Sequence, residues 1–102
     1  MIKKKIEKNV NKEAVVFTFY GGLTAEIRNE LDKINVDNLE RDVVIFDFSQ
    51  AEYICSSVLG WVTGIRTELV AQNKREPIVV GCNEKILNLF EMTGVVHLFK
   101  FA

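Results

Sequence analysis

Three residue types in this 102-residue chain, serine, cysteine and histidine, could supply a nucleophile, an imidazole base or a soft metal ligand, and they are few. Ser56 and Ser57 stand side by side and are two of only three serines, the third being Ser49. Cys55 precedes the pair, and the other thiol, Cys82, is distant in sequence. The single histidine is His97. A serine hydroxyl attacks an acyl or phosphoryl centre only when a base takes its proton, and the one candidate imidazole, His97, sits in an apolar segment near the C-terminus. A packed or edge-exposed histidine is the simpler reading there. A Cys55 nucleophile meets the same want of a base. One histidine and two separated cysteines, without HxxxH or CxxC spacing, give no metal site. No glycine-rich phosphate loop of the Walker or dinucleotide type is present, so no cofactor is expected. What remains is a hydroxyl pair that can itself be modified.

Composition narrows the partners. Thirteen Lys and Arg against fourteen Asp and Glu leave a formal charge of −1. A protein that binds nucleic acid by neutralising phosphates needs a basic surface, and a polybasic membrane binder needs the same. No stretch is long and apolar enough to span a bilayer. The start carries a lysine run without the apolar segment of a secretory signal. Two unpaired cysteines suit a reducing compartment, so the expectation is a cytoplasmic protein of one domain.

The elements that must position the serines follow from residue pattern. Ile6 to Val10 and Ala14 to Tyr20 read as strands joined at Asn11-Lys12, and Gly21-Gly22 is expected to end the second. Thr24 is an N-cap type ahead of Ile27, Leu31 and Ile34 at helical spacing. Segment 35–41 is polar, with Val36 and Leu39 as anchors. Val43 to Phe48 is almost continuously apolar, the pattern of a strand buried on both faces. A short connection then leads to Ser56 or Ser57 as N-cap of a helix bearing Val58, Trp61, Val62, Ile65 and Leu69, ending near Asn73. Gly60 and Gly64, four apart, suggest close packing against a strand. Pro77 opens a strand at Ile78-Val79-Val80. Asn83 caps a helix with Ile86, Leu89 and Phe90 inward, Gly94 stops it, and Val95 to Phe101 is a last strand. Strands alternating with helices imply crossover units and an α/β fold with a largely parallel sheet.

In such a sheet, ligands and partners gather at the carboxyl ends of the strands. The serine pair lies there, at a helix start with free N–H groups and partial positive charge. A plain helix cap is one reading of these serines. Phosphorylation is the other, adding about −1.5 to −2 charge beside the positive helix end. Cys55 reads either as a small buried hydrophobe or as a thiol activated by the helix start.

The residues Val43-Val44-Ile45-Phe46-Asp47-Phe48-Ser49, then Ile54-Cys55-Ser56-Ser57-Val58-Leu59-Gly60, resemble the central signature of STAS domains, which include bacterial anti-sigma factor antagonists. Ile86 to Gly94, followed by Leu98-Phe99, resembles the family's ending, and Gly22-Leu23-Thr24 its early turn. The resemblance covers nearly the whole chain. It implies a single STAS-like domain with a four- to five-stranded mixed, largely parallel sheet and helices mainly on one face. The chain stops where many relatives continue into a further helix. The resemblance also implies an antagonist that binds an anti-sigma factor, itself a serine kinase, and is released by phosphorylation at Ser56, with Ser57 as the alternative. Partner contacts would fall on Thr24, Cys55, Ser56, Ser57, Val58 and Leu59, with Val58 on the approached surface. No catalytic residue is implied. Cys55 and Thr24 replace two aspartates of the family motif, and Val58 replaces a glycine. These departures point to a second function, a non-phosphorylated adaptor within a larger signalling or transport assembly. Its partner would be another STAS-like subunit or a second copy of the chain, covering a sheet face or edge left open.

Overall fold

The computed structural model describes residues 4–34, 39 and 41–102. Val36 lies outside the described residues, while Leu39 is buried. Among the described residues one five-stranded sheet has the order β1-β2-β3-β4-β5. β1 (Lys5–Val10) pairs antiparallel with β2 (Ala14–Leu23), and every other pair is parallel. The Asn11 side chain closes the β1-β2 turn. Its Oδ1 accepts the N–H groups of Glu13 and Ala14, both at 2.8 Å.

β2 does not end at its glycines. It runs to Leu23, with register shifts against β3 around Tyr20 and Gly21. Gly21 has φ +80°, which glycine adopts without strain. Gly22 lies beneath the Tyr53 ring, where a β-carbon would stand 2.6 Å from Cε1. The pair therefore bends the strand instead of breaking it. A 3-10 turn (Ala25–Ile27) and the short helix α1 (Arg28–Lys33) follow, burying Ile27 and Leu31.

β3 runs from Val43 to Ile54, so the expected connection after Phe48 is strand. Its apolar run is covered on one face. Val44, Phe46 and Phe48 are buried, whereas Val43, Ile45 and Asp47 are only half-buried. The period-2 alternation of a strand separates the two sets. Phe17 and Phe19 of β2 join the buried one. Phe17 stacks on Phe46 (ring centroids 5.7 Å apart) and Phe19 on Phe48 (4.5 Å). The edge of Trp61 meets Phe17 at 5.4 Å, and Phe90 meets Phe48 at 6.2 Å. The two helices that carry these residues, α2 (Ser56–Ala71) and α3 (Glu84–Met92), thus cover the same sheet face.

Val58, Val62, Ile65 and Leu69 of α2 are buried. Gly60 and Gly64 are exposed, with nothing within 4 Å of an added β-carbon, so they do not serve strand packing. The helix ends at Ala71, and just beyond it Asn73 turns at φ +59° while the N–H of Lys74 reaches back to the Leu69 carbonyl at 2.8 Å. β4 is Ile78–Val80. Gly81 then turns at φ +75° against β3, where a β-carbon would be 2.6 Å from the Ser49 nitrogen. Asn83 caps α3 by accepting the Ile86 N–H at 3.0 Å, and Gly94 follows the helix at φ +76°.

The last strand is much shorter than Val95–Phe101. A 3-10 turn takes Val96–Leu98, and β5 is Lys100–Phe101 alone. The Leu98 N–H is spent on Val95 (2.9 Å) and its carbonyl accepts Arg66 Nε (3.1 Å), so this backbone is not free for a ladder.

The glycines give a two-signed stability prediction. Gly81→Ala forces a β-carbon into the β3 backbone at a left-handed φ and should cost about 2 kcal/mol or more. Gly64→Ala, on an open helix face, should add about 0.5–1 kcal/mol. Urea unfolding of the two variants checks both signs.

Candidate functional site

The carboxyl ends of β2 and β3 meet where the Cys55 N–H donates to the Leu23 carbonyl at 2.9 Å. That bond holds Cys55 extended (φ −93°, ψ 173°) and makes it the N-cap of α2. Its carbonyl accepts the N–H groups of Val58 (3.1 Å) and Leu59 (3.2 Å). The expected cap, Ser56 or Ser57, is therefore shifted by one residue. The serines are the first two helical residues, and no side chain caps the helix. Ser56 is exposed and Ser57 half-buried. The first turn carries no acidic residue, so the positive end of a sixteen-residue helix is not neutralised by its own sequence.

Thr24 is beside this junction, one residue after Leu23. It occupies the N-cap of the 3-10 turn, its carbonyl accepting the Ile27 N–H at 3.0 Å, but its side chain makes no cap bond and its Oγ1 is buried with no hydrogen-bond partner. Cys55 is half-buried. The structure thus brings Thr24, Cys55, Ser56 and Ser57 to one edge. Val58 and Leu59 are not on the approached surface. They are 0% and 4% exposed and belong to the core. Helical geometry turns residues three and four after Cys55 toward the sheet, so the β-branched Val58 fills space beneath the serines.

Two features escape sequence reasoning. Tyr53, 39% exposed, lies across Gly22, a contact set by strand register. The other is a cleft of about 440 Å³ between α1 and the start of α2, lined by Arg28, Leu31 and Asp32 on one side and by Ser56, Ser57, Gly60 and Trp61 on the other. Arg28 and Asp32 are four apart on α1, a visible pairing, but nothing in the sequence aims them at the serines. Asn83 also reaches this edge. Its Nδ2 donates to the Glu52 carbonyl at 2.9 Å, tying the start of α3 to the end of β3.

His97 is exposed in the C-terminal 3-10 turn. No group of three His, Cys, Asp or Glu among the described residues is placed to hold a metal ion. No helix among them is long and apolar enough to cross a membrane.

The chain belongs to the STAS domain family, whose pattern matches residues 3–102. Its fold is similar to that of several solved structures. The anti-sigma factor antagonist SpoIIAA in its unphosphorylated form superposes with a TM-score of 0.77 at 23% identity, over 95% of this chain and 87% of that one. The Bacillus cell fate determinant SpoIIAA in the phosphorylated form gives 0.66 at 22% identity, over 95% and 90%. An anti-sigma factor antagonist from Mycobacterium paratuberculosis gives 0.72 at 15% identity, over 99% and 85%. Among curated protein sequences none matches.

Burial pushes the Cys82 thiol up to about 11. The thiolate is the reactive species, so Cys82 should be alkylated at neutral pH about two orders of magnitude more slowly than a free cysteine. Its rate should climb as pH approaches 11. Peptide-resolved labelling with iodoacetamide between pH 7 and 10 checks this, and a fast neutral rate at Cys82 would contradict it.

Proposed function

We propose that the chain is a non-enzymatic regulatory module of the anti-sigma factor antagonist type. It binds an anti-sigma factor that is also a serine kinase, through the edge formed by Thr24, Cys55, Ser56 and Ser57, in the cytoplasm. The kinase transfers the γ-phosphoryl group of ATP to Ser56. A bond forms from Ser56 Oγ to phosphorus, ADP leaves, and the hydroxyl proton passes to a base of the kinase. The added charge then ends the binding.

The observation that supports this reading most is the setting of Ser56. Its side chain is exposed in the first helical position, and the helix is capped by Cys55 through the backbone alone. The hydroxyl has no capping duty that modification would break. A phosphate there meets free N–H groups and the positive end of α2, worth about 0.3–1 kcal/mol at an exposed site.

The replacement of the family's two aspartates by Thr24 and Cys55 favours a second reading, a scaffold whose contacts do not depend on phosphorylation. The two readings separate cleanly. Incubated with ATP and its cognate kinase, the protein should gain one phosphate by intact mass, and Ser56→Ala should gain none. Ser56→Asp should release the captured partner. Unchanged mass together with retention of the partner by Ser56→Asp would leave the scaffold.

A further inference from the structure

The cleft between α1 and α2 is lined by Arg28 as well as by the two serines. Its charged lining side chains are Arg28 and Asp32, both from α1, and Ser56, Ser57, Gly60 and Trp61 line the α2 side. Arg28 is only loosely engaged. Its Nε is 3.6 Å from Asp32 Oδ1, and both side chains are 66% exposed, a pair that solvent and salt weaken. A phosphate dianion is the stronger partner, because the planar fork of arginine binds two of its oxygens at once. Nothing on the α2 side competes, since the first turn has no acidic residue. The space beside Gly60 is open, for a β-carbon there would meet nothing within 4 Å.

We infer that Arg28 is the intramolecular receptor for a phosphate on Ser56. On modification the guanidinium leaves Asp32, crosses the cleft and binds the phosphate, fastening α1 to the start of α2. The cleft is filled, and the charge of Arg28 is withdrawn from any partner that reads this edge. Arg28 is thus a positioning residue of the switch. The inference rests on Ser56 as the modified residue and adds to it what the phosphate does.

The test uses the full chain with phosphoserine installed at position 56 during synthesis, so no kinase is needed. Phosphorus NMR follows the second ionisation of that phosphate, ordinarily near pH 6. A facing cation favours the dianion, so the midpoint should lie about half a pH unit lower in the parent than in Arg28→Gln. Arg28→Lys, which keeps charge but not the fork, should fall between. Asp32→Asn removes the competing carboxylate and should lower the midpoint further. Equal midpoints in the parent and Arg28→Gln overturn the inference. Should Arg28→Gln fail to fold, Asp32→Asn carries the test, and an unchanged midpoint there overturns it as well. The result is separable from the proposed function. A kinase that ignores Ser56 while Arg28→Gln shifts the midpoint removes the biological switch and leaves the receptor geometry standing. Modification of Ser56 with no dependence on Arg28 removes the receptor alone.

Discussion

Four phenylalanines, spaced two apart on the two central strands, govern this molecule. Phe17, Phe19, Phe46 and Phe48 project from one face of β2 and β3, all fully or almost fully buried. Each such side chain buries a large apolar area, and truncating one typically costs about 3–5 kcal/mol. The helices must therefore pack on this face, with Trp61 and Phe90 as the matching aromatic surfaces. Once α2 is fixed along the sheet by Trp61 and Val62, its first residues have one place to be, the carboxyl edge. The exposed position of Ser56 is thus set from below, by packing that involves no serine.

Pairing of β2 with β3 sets the edge itself. The Cys55 N–H on the Leu23 carbonyl ends β3 beside the end of β2, and the chain turns into α2 at once. The cap position thereby falls on Cys55, and the serines follow it as the first two helical residues. This is the physical sense in which the serine hydroxyls are spare. The Asn83 side chain extends the same economy to α3, capping its first turn while holding the backbone of β3.

Element order, the β1-β2 hairpin and the Asn83 and Gly94 signals of α3 were legible in the chain, because each rests on local pattern. Where β3 ends was not legible. Ser49 to Tyr53 is polar enough to read as a loop, yet pairing with β2 keeps it extended. Gly21-Gly22 misled for a similar reason, since a glycine pair breaks an isolated strand but bends one held by pairing with β3. The inward turn of Val58 was legible in its spacing to Val62, Ile65 and Leu69, and only the family resemblance placed it on the approached surface. The cleft that Arg28 and Ser56 share lies between elements and has no sequence signature at all.

The two outer strands set limits on how copies of this protein meet. β5 is two residues long and offers too few backbone groups to template another strand. β1 is longer but bears Lys5 and Lys8, with Lys4 just before it, whose ammonium groups would have to be dehydrated against any incoming edge. Lys5 is further held over the Tyr20 ring, 4.7 Å from its centre. A net charge of −1 provides almost no mutual repulsion between molecules in solution. Resistance to sheet-to-sheet polymerisation in a crowded solution therefore depends on the chemistry of two strand margins rather than on colloidal charge.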